Sequence, residues 1–387
     1  MIVIGDLHLT RHTPRAVSAD LSRLLADHPG EAVVLAGDFF DLSTDAPYAE
    51  RRDAIEGVFA VHEDARRAMG RHLDGGGEIT LLGGNHDADL GQRDVGPALL
   101  DAVGPSTEGR RRLTTCPWFW RHRGVHFEHG HLYDPDNAPS HPLIVGEPSL
   151  GVHFSAEFIH PTGAHRYLQQ NDETPLRLFL SSFRWYGPRA PYVIYRYFHA
   201  AVAALSRSGP LYRGAPERRQ GEAMHARYAE EMGVPESTVE AILSLGAPST
   251  LESWPGTFAR LYLDRVMATL LMTSGLGAAA LGPKKSGAAL ATLGAMLMTT
   301  SWLSGHNRYR GNVVDHLTTA ARRIARETDA RLVVFGHTHR QCVAEPYANT
   351  GAFGFPEPGS PGRPYLTIEW DGLDRPRAIE RHLPPAA

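Results

Sequence analysis

Five short apolar segments of the chain each end in side chains that can bind a divalent metal ion. The polar groups that follow them are carboxylates, a carboxamide and imidazoles, which together suit ions of the manganese, iron or zinc type. A single aspartate after an apolar segment more often forms a turn or caps a helix, so the inference depends on the recurrence. The segments and their polar residues are 2–4 with Asp6 and His8, 33–36 with Asp38 and Asp41, 79–82 with Asn85, His86 and Asp87, 125–127 with His129 and His131, and 332–335 with His337 and His339.

Each of these apolar segments is predicted to form a buried strand, because short apolar runs bounded by glycine or polar residues are typical of α/β sheets. Gly37 allows the chain to turn sharply before Asp38. Helical spacing of apolar residues between the segments, as at Val17, Leu21 and Leu24, predicts that helices alternate with the strands. Chemistry in such sheets collects beyond the carboxyl ends of the strands, so the sequence predicts an α/β fold with a metal site there.

The order of these motifs resembles that of the calcineurin-like metallophosphoesterases. The resemblance covers residues 1–131 and 331–351 and does not extend to the middle of the chain. It implies a four-layer αββα sandwich, in which two mixed β-sheets lie face to face and helices cover the outside. It also implies a binuclear metal centre with two divalent ions, of which manganese is the first choice and iron, zinc or magnesium are the alternatives.

The resemblance also implies a role for each motif residue. Carried over by position, the ligands of one ion are Asp6, His8 and His339, those of the other are Asn85, His129 and His337, and Asp38 bridges the two. His129 is preferred to His131 because the family's ligand directly precedes a glycine. His86 corresponds to the catalytic histidine, and Asp41 corresponds to the carboxylate that orients it. The implied reaction is attack on phosphorus by a metal-bridging hydroxide while His86 donates a proton to the leaving oxygen.

The composition is that of a globular protein without a disulfide framework. Hydrophobic residues make up 42% of the 387, and the formal net charge of −4 neither favours nor excludes a polyanionic partner. The two cysteines, Cys116 and Cys342, indicate a reducing compartment, so we expect a cytoplasmic protein. Because the first strand begins at Met1, we expect no signal peptide.

The positions of the motifs predict a core built from two separate stretches of sequence. Residues 1–150 would form its first part and residues 311–387 its second part. A large, mainly helical insert would occupy residues 151–310. Within the first part, the charged segment 48–73 is predicted to form one helix with His62 and His72 at its surface.

Two segments of the insert have compositions that favour contact with an anionic lipid membrane. Residues 174–213 carry six arginines among aromatic residues and no acidic residue, which suits a membrane interface or a nucleic-acid strand. Residues 266–303 contain only two charged residues, Lys284 and Lys285, and predict an apolar helical hairpin. The alternatives are a cap whose arginines meet acidic residues elsewhere and a hairpin that packs against protein. Composition does not choose between them, and it leaves the oligomeric state open.

The leading hypothesis is a metallophosphoesterase that hydrolyses a phosphate ester or pyrophosphate, with a lipid-linked compound as the favoured substrate. We expect it in the cytoplasm, bound peripherally or by the hairpin to the inner face of the membrane. One alternative is an enzyme like the UDP-2,3-diacylglucosamine pyrophosphatases, although these usually carry arginine where His86 stands and have a shorter insert. A nuclease-type phosphodiesterase is another, and the negative charge and apolar hairpin count against a nucleic-acid partner. A metal-free scaffold of the same fold is the alternative without enzymatic activity.

Overall fold

The computed structural model describes residues 1–47, 49–91, 95–164, 175–303 and 312–385, and it is of the mixed α/β class. The strands are β1 (Ile2–Ile4), β2 (Ala32–Leu35), β3 (Glu78–Leu82), β4 (Leu113–Cys116), β5 (Trp120–His122), β6 (Val125–Phe127), β7 (Leu332–Phe335), β8 (Cys342–Ala344), β9 (Tyr347–Asn349), β10 (Arg363–Trp370) and β11 (Pro376–Leu383). The helices are α1 (Arg15–Asp27), α2 (Leu42–Asp45), α3 (Arg51–Val61), α4 (Glu63–Asp74), α5 (Val95–Val103), α6 (Thr107–Arg110), α7 (Leu150–Phe154), α8 (His160–Thr162), α9 (Pro175–Tyr186), α10 (Ala190–Ser206), α11 (Gly214–Glu222), α12 (His225–Met232), α13 (Glu236–Ser244), α14 (Trp254–Arg260), α15 (Leu263–Leu281), α16 (Lys284–Leu303) and α17 (Asn312–Glu327).

The chain divides into two compact units. The first, called here the core unit, comprises Met1–Val152, Arg213–Pro248 and Val313–Ala387. The second, called the helical unit, comprises His153–Tyr212 and Ser249–Asn312. Residues 213–248 fall inside the insert predicted for 151–310 and are nevertheless part of the core unit.

The core unit contains two mixed β-sheets. The first has six strands in the order β11-β10-β1-β2-β3-β4, in which β1 to β4 are parallel and the terminal hairpin β10–β11 adds antiparallel to β1. The second has five strands in the order β5-β6-β7-β9-β8, in which β6, β7 and β9 are parallel and the edge strands β5 and β8 are antiparallel. The five segments predicted to be strands are β1, β2, β3, β6 and β7, so each is a parallel strand with polar residues at its carboxyl end.

Each sheet buries both of its faces. Val3 and Val34 from the first sheet share one apolar cluster with Phe127 and Val334 from the second, so the two sheets pack face to face. On the other face of the first sheet lie side chains from α1, α3, α4 and α5, and on the other face of the second lie side chains from α12, α13 and α17. Burial on both faces explains why the central strands are continuously apolar rather than alternating.

The helix predicted for residues 48–73 is two helices, α3 and α4, which meet at His62. Tyr48 lies outside the described residues. The prediction of surface histidines was wrong. His62 is fully buried, and its ring nitrogens lie 3.0 Å from Ser18 Oγ and 2.8 Å from Thr10 O. His72 is buried too, and its Nε2 lies 2.9 Å from Glu31 O. Helical periodicity reveals neither the break nor the burial of His62, because the partners of that imidazole lie in α1 and in the loop before it.

The helical unit contains residues 266–303 and the arginine-rich segment up to residue 212, the two segments for which the sequence left membrane contact and protein contact open. Residue 174 of the arginine-rich segment lies outside the described residues, and among the arginines that follow, Arg196 Nη2 lies 3.4 Å from Glu157 Oε2 and Arg189 donates to the Thr162 carbonyl. Residues 266–303 form an antiparallel pair of helices, α15 and α16. Within the ranges given above, no helix combines the length and the apolarity that crossing a membrane requires.

A buried carboxylate supports the second sheet directly beside the polar residues after β6. Glu128 is fully buried and accepts hydrogen bonds from Trp118 Nε1 and Tyr133 Oη, both at 2.8 Å. Trp118 bonds to Oε1 and Tyr133 to Oε2, and Oε2 also lies 3.0 Å from His126 Nε2. A buried carboxylate is tolerated only when such partners replace its water. Glu128 therefore joins the segment before β5 to the turn after His129.

Replacing Tyr133 with phenylalanine should destabilise the core unit. The Tyr133→Phe change keeps the ring and removes one donor to Glu128, and hydrogen bonds to charged groups contribute about 1.5–3 kcal/mol. We expect the free energy of unfolding in urea, followed by tryptophan fluorescence, to fall by that amount. The control, Tyr192→Phe on the exposed surface of α10, should change it by less than about 0.5 kcal/mol. Equal losses in both variants would show that the bond to Glu128 contributes no specific stability.

Candidate metal centre

The polar residues that follow the five strands converge because their loops bond to one another. The backbone N–H of Asp6 donates to Gly37 O at 3.2 Å, and that of His8 donates to Asp38 O at 2.9 Å. The backbone N–H of His337 donates to Asp6 Oδ2 at 3.1 Å, which ties the loop after β7 to the loop after β1. The loops after three strands from both sheets are therefore fixed together.

The backbone is strained where the candidate ligands lie. Nine described residues other than glycine have a positive φ angle, and five of them are candidate ligands. These five, with φ between 48° and 67°, are Asp6, His8, Asp38, His337 and His339. Each such conformation costs about 1–3 kcal/mol and persists only where the surroundings enforce it. Positive φ angles that are concentrated in this way are typical of functional sites.

Two glycines make room for the candidate ligands. Gly37 has φ +87°, and a Cβ there would lie 2.5 Å from the Nδ1 atom of His129. A Cβ on Gly84 would lie 2.1 Å from Asp38 Oδ1. Any larger residue would displace a ligand, so the glycines next to the motifs have a steric role as well as a conformational one.

Asp87 organises these loops, a role that the sequence analysis did not assign to it. The residue is buried, and its carboxylate accepts from the backbone N–H groups of Asp38 at 3.1 Å, Phe40 at 3.0 Å and Gly84 at 2.8 Å. Burial, followed by repulsion from Asp38, raises the pKa of Asp87 to about 7, and the three N–H groups oppose that rise only in part. The sequence signal was available, because Asp87 directly follows Asn85 and His86.

The first group of candidate ligands contains Asp6, His8 and His339. Asp6 Oδ1 lies 3.2 Å from His339 Nε2 and 3.8 Å from His8 Nε2, and the two imidazole Nε2 atoms lie 3.4 Å apart. Asp6 is fully buried, and its Oδ1 makes no hydrogen bond to any of the described residues. A buried carboxylate oxygen that makes no hydrogen bond and faces two imidazole nitrogens suits a cation between them.

His129 provides the sharpest test of whether the site fits a metal ion. Its Nδ1 lies 2.9 Å from the Ala36 carbonyl and must carry a proton to bond there. Its Nε2 lies 3.2 Å from Asp38 Oδ2 and 3.1 Å from Asn85 Oδ1. A neutral imidazole would therefore point its lone pair at two oxygen atoms, a repulsion that either a cation or a second proton relieves. Burial disfavours that second proton, but the charge of Asp38 outweighs burial and raises the pKa of His129 to about 10.

The rings of His131 and His337 lie beside that of His129. The contacts with Asp38 and Asn85 belong to His129, and the ring of His131 lies 5.4 Å from that of His129. Burial lowers the pKa of His131 well below its ordinary value. The ring of His337 lies 5.2 Å from that of His129.

Asp134 is a further residue at the site, and sequence reasoning gave it no functional role. Its Oδ2 lies 2.9 Å from His337 Nε2 and accepts a hydrogen bond from Asn137 Nδ2 at 2.7 Å. Asn137 Oδ1 in turn accepts from Asn85 Nδ2 at 3.3 Å. The signal in the sequence is a run of Asp, Pro, Asp and Asn that closely follows His131, which is typical of a turn and also allows contact with the rim of a metal site.

His86 is held in place by contacts with Asp41, Ser43 and Asp38. Its Nδ1 lies 2.8 Å from Asp41 Oδ1, and Ser43 Oγ lies within hydrogen-bond distance of both groups. The backbone N–H of His86 donates to Asp38 Oδ1 at 2.9 Å. Burial disfavours the charged ring, but the negative charges of Asp41 and Asp38 outweigh burial and raise the pKa of His86 to about 9.

Within the described ranges, several groups of residues could hold a metal ion. Three of them lie in these loops and share members: Asp6, His8 and His339; Asp6, Asp38 and His129; and His8, Asp41 and His86. A fourth group, on α12 and α13, consists of His225, Glu236 and Glu240, and its two glutamates are exposed. The shared members of the first three groups indicate one composite centre rather than separate sites.

Comparisons with known proteins add no name to this centre. No protein-family model matches the chain, and no curated protein matches it. The chemistry of the site therefore follows from its own residues.

Replacing Asp38 with asparagine should reduce metal binding. The Asp38→Asn change keeps the shape of the side chain but removes the charge that faces His8 and His129. We expect protein reconstituted with Mn²⁺ to lose at least one bound ion per chain, as measured by elemental analysis after dialysis. The matched control is Asp53→Asn on the exposed surface of α3. Equal metal content in both variants would rule out a bridging role for Asp38.

Proposed function

We propose that this protein is a metal-dependent phosphoesterase with a binuclear centre of the calcineurin-like type. The observation that carries the proposal is the position of a single atom, Asp38 Oδ2. It lies 3.8 Å from Nε2 of His8 and 3.2 Å from Nε2 of His129. One carboxylate oxygen between histidines of two ligand groups is the arrangement that a pair of metal ions requires.

The architecture supports the same proposal. Two mixed sheets that share a core, with helices against the outer face of each, correspond to the αββα sandwich that the resemblance implies. The candidate ligands follow five parallel strands drawn from both sheets. The order of the motifs is a property of the sequence, whereas the proximity of these strand ends is a separate observation that supports the proposal.

The donor set fits two divalent ions, with manganese as the first choice and iron, zinc or magnesium as alternatives. Bound there, the ions would supply Lewis-acid polarisation of a phosphoryl group and activation of a water molecule. The residues assigned to the first ion are Asp6, His8 and His339, those assigned to the second are Asn85, His129 and His337, and Asp38 serves both. His339 is the exposed member, with 48% of its side chain accessible, so the first group is open to a substrate.

The protein's own contribution to the chemistry would come from His86. The Asp41 carboxylate fixes the orientation of the ring and stabilises its protonated form. The opposite nitrogen, Nε2, can then donate a proton to the oxygen that leaves phosphorus, a step that typically contributes 10²–10⁴-fold. Ser43 Oγ lies within hydrogen-bond distance of both Asp41 and His86 and so helps to hold the two side chains together.

The substrate class is a phosphate ester or a pyrophosphate, and a lipid-linked compound is our favoured member of that class. The apolar composition of the helical unit supports that choice over a nucleic acid. A panel of monoesters, diesters, nucleoside diphosphate compounds and phospholipids, assayed with Mn²⁺, tests it directly. Turnover of no member, by protein that does bind Mn²⁺, would contradict the proposed activity.

The His86→Ala variant should separate proton donation from metal binding. We expect a loss of at least about 10²-fold in kcat for an alkyl phosphoester, whose poor leaving group needs a proton. The loss should be smaller for a nitrophenyl ester, whose leaving group needs little protonation. Metal content should stay close to that of the unaltered protein, because His86 is not among the assigned ligands.

The control for this variant is His316→Ala, at an exposed position on α17, which should leave both rates unchanged. Equal losses of rate for the two leaving groups would contradict the role of His86 as proton donor. Loss of metal from His86→Ala would instead assign it a ligand role.

A further inference from the structure

The hairpin of α15 and α16 is held together by small residues. Those buried between its two helices are Ala268, Gly275, Gly287, Gly294 and Ser301. They recur at intervals of seven residues on each helix, so they line one stripe of it. We call this stripe the small-residue seam.

The helices of the hairpin touch through their backbones at the seam. A Cβ added to Gly275 would lie 2.3 Å from the backbone nitrogen of Ala291. A Cβ added to Gly287 would lie 2.3 Å from the backbone nitrogen of Ala279. Contact this close leaves no room between the helices for large side chains.

The large apolar side chains consequently point away from the seam. We call the following residues, whose exposed fractions range from 41% to 93%, the outer face: Met267, Leu270, Leu276, Leu281, Leu293, Met296 and Leu297. A helix pair surrounded by water would place leucine and methionine between its helices and polar residues outside. This hairpin has the opposite distribution, which is the one expected where the surroundings are apolar.

Hydroxyl groups on the outside of the hairpin are satisfied within their own helices. The Oγ1 atoms of four threonines donate to the carbonyl four residues earlier, at 2.8 Å for Thr269 and 2.9 Å for Thr273, Thr299 and Thr300. These hydroxyls therefore need no further partner in an apolar medium, and the same bond occurs in the core unit, where Thr318 donates to Val314 O. The threonines are therefore compatible with apolar surroundings of the hairpin.

Charged residues lie only at the ends of the hairpin. Lys284 and Lys285 are exposed at the turn between the helices. At the opposite end, Asp264 and Arg265 both bond to Ser301. The arms between these ends, about 27 Å long at 1.5 Å per residue, carry no charged side chain.

The charge of the helical unit indicates the kind of apolar surroundings. Over its two sequence ranges it has twelve basic and five acidic residues, a net charge of +7 in a chain whose total is −4. Exposed aromatic side chains on α9 and α10, among them Phe183 and Tyr195, add the residue type that occupies the membrane–water interface. Positive charge beside an exposed apolar surface is complementary to an anionic lipid surface rather than to a neutral protein face.

We propose that the outer face of the α15–α16 hairpin docks on an anionic phospholipid surface. The hairpin lies in the interface, where its leucines and methionines enter the acyl boundary while Lys284 and Lys285 reach the headgroups. The inference does not depend on the metal centre or on its activity. It also requires no helix to cross the bilayer.

The test is co-sedimentation of the full-length chain with vesicles, without Mn²⁺ or substrate. One set of vesicles contains phosphatidylcholine alone and the other contains added phosphatidylglycerol. We expect binding at least tenfold stronger to the second set. Lys284→Gln with Lys285→Gln should weaken the salt-sensitive part of that binding, whereas Leu276→Gln, Leu293→Gln and Met296→Gln together should abolish binding at every salt concentration.

The matched control is Val145→Gln, Leu211→Gln and Leu373→Gln, three apolar positions that are exposed elsewhere on the chain. It should bind vesicles like the unaltered protein, and circular dichroism should show that both triple variants are folded. A full-length chain that remains in the supernatant with both vesicle types would overturn the proposal, as would equal losses in the two triple variants. If sedimentation velocity shows a dimer that only the outer-face variant dissociates, and vesicles do not bind, the occupant is a second copy of this chain.

Discussion

The candidate centre exists because the backbone is held where it would not settle unaided. Five candidate ligands have positive φ angles, and contacts between the loops enforce them, such as the bond from His8 N–H to Asp38 O. Among the side chains brought together in this way, Asp6 Oδ1 has no hydrogen bond, and His129 Nε2 faces oxygen atoms of Asp38 and Asn85. Strain in the loops and frustration among the side chains have the same origin, since both follow from aiming every donor at one small volume.

Asp87 shows how the fold sustains that arrangement. It is not a candidate ligand, yet its carboxylate takes the N–H groups of Asp38, Phe40 and Gly84 and so joins the loops after β2 and β3. Glu128 does the same for the second sheet, one residue before His129. Two buried carboxylates with full sets of donors thus support the two sides of the centre, and each is costly to bury unless all of its partners are present.

The parts of the structure that the sequence predicted are those encoded by adjacent residues. The strands and the polar residues at their ends lie next to each other along the chain, so β1, β2, β3, β6 and β7 could be identified from short motifs. Contacts between distant segments could not. Asp134 meets His337 across more than half of the chain, and nothing in the turn-like run around Asp134 names that partner.

The division of the insert failed to emerge from the sequence for the same reason. Residues 213–248 have the periodicity of ordinary amphipathic helices, and periodicity gives the apolar face of a helix without its destination. In the structure, Tyr228 of α12 and Ile242 of α13 share an apolar cluster with Val333 and Phe335 of β7, so these helices cover the second sheet. Only the tertiary contact assigns them to the core unit.

The core unit and the α15–α16 hairpin bury different kinds of residue. In the core unit, large apolar residues lie inside. In the α15–α16 hairpin, small residues lie inside, Leu276 and Leu293 point outward, and threonines such as Thr273 bond to their own helix. Burying large residues in one region and small residues in the other requires two regions of different composition. The stretch 266–303, whose only charges are the two lysines at its turn, therefore differs from the core unit both in composition and in which residues it buries.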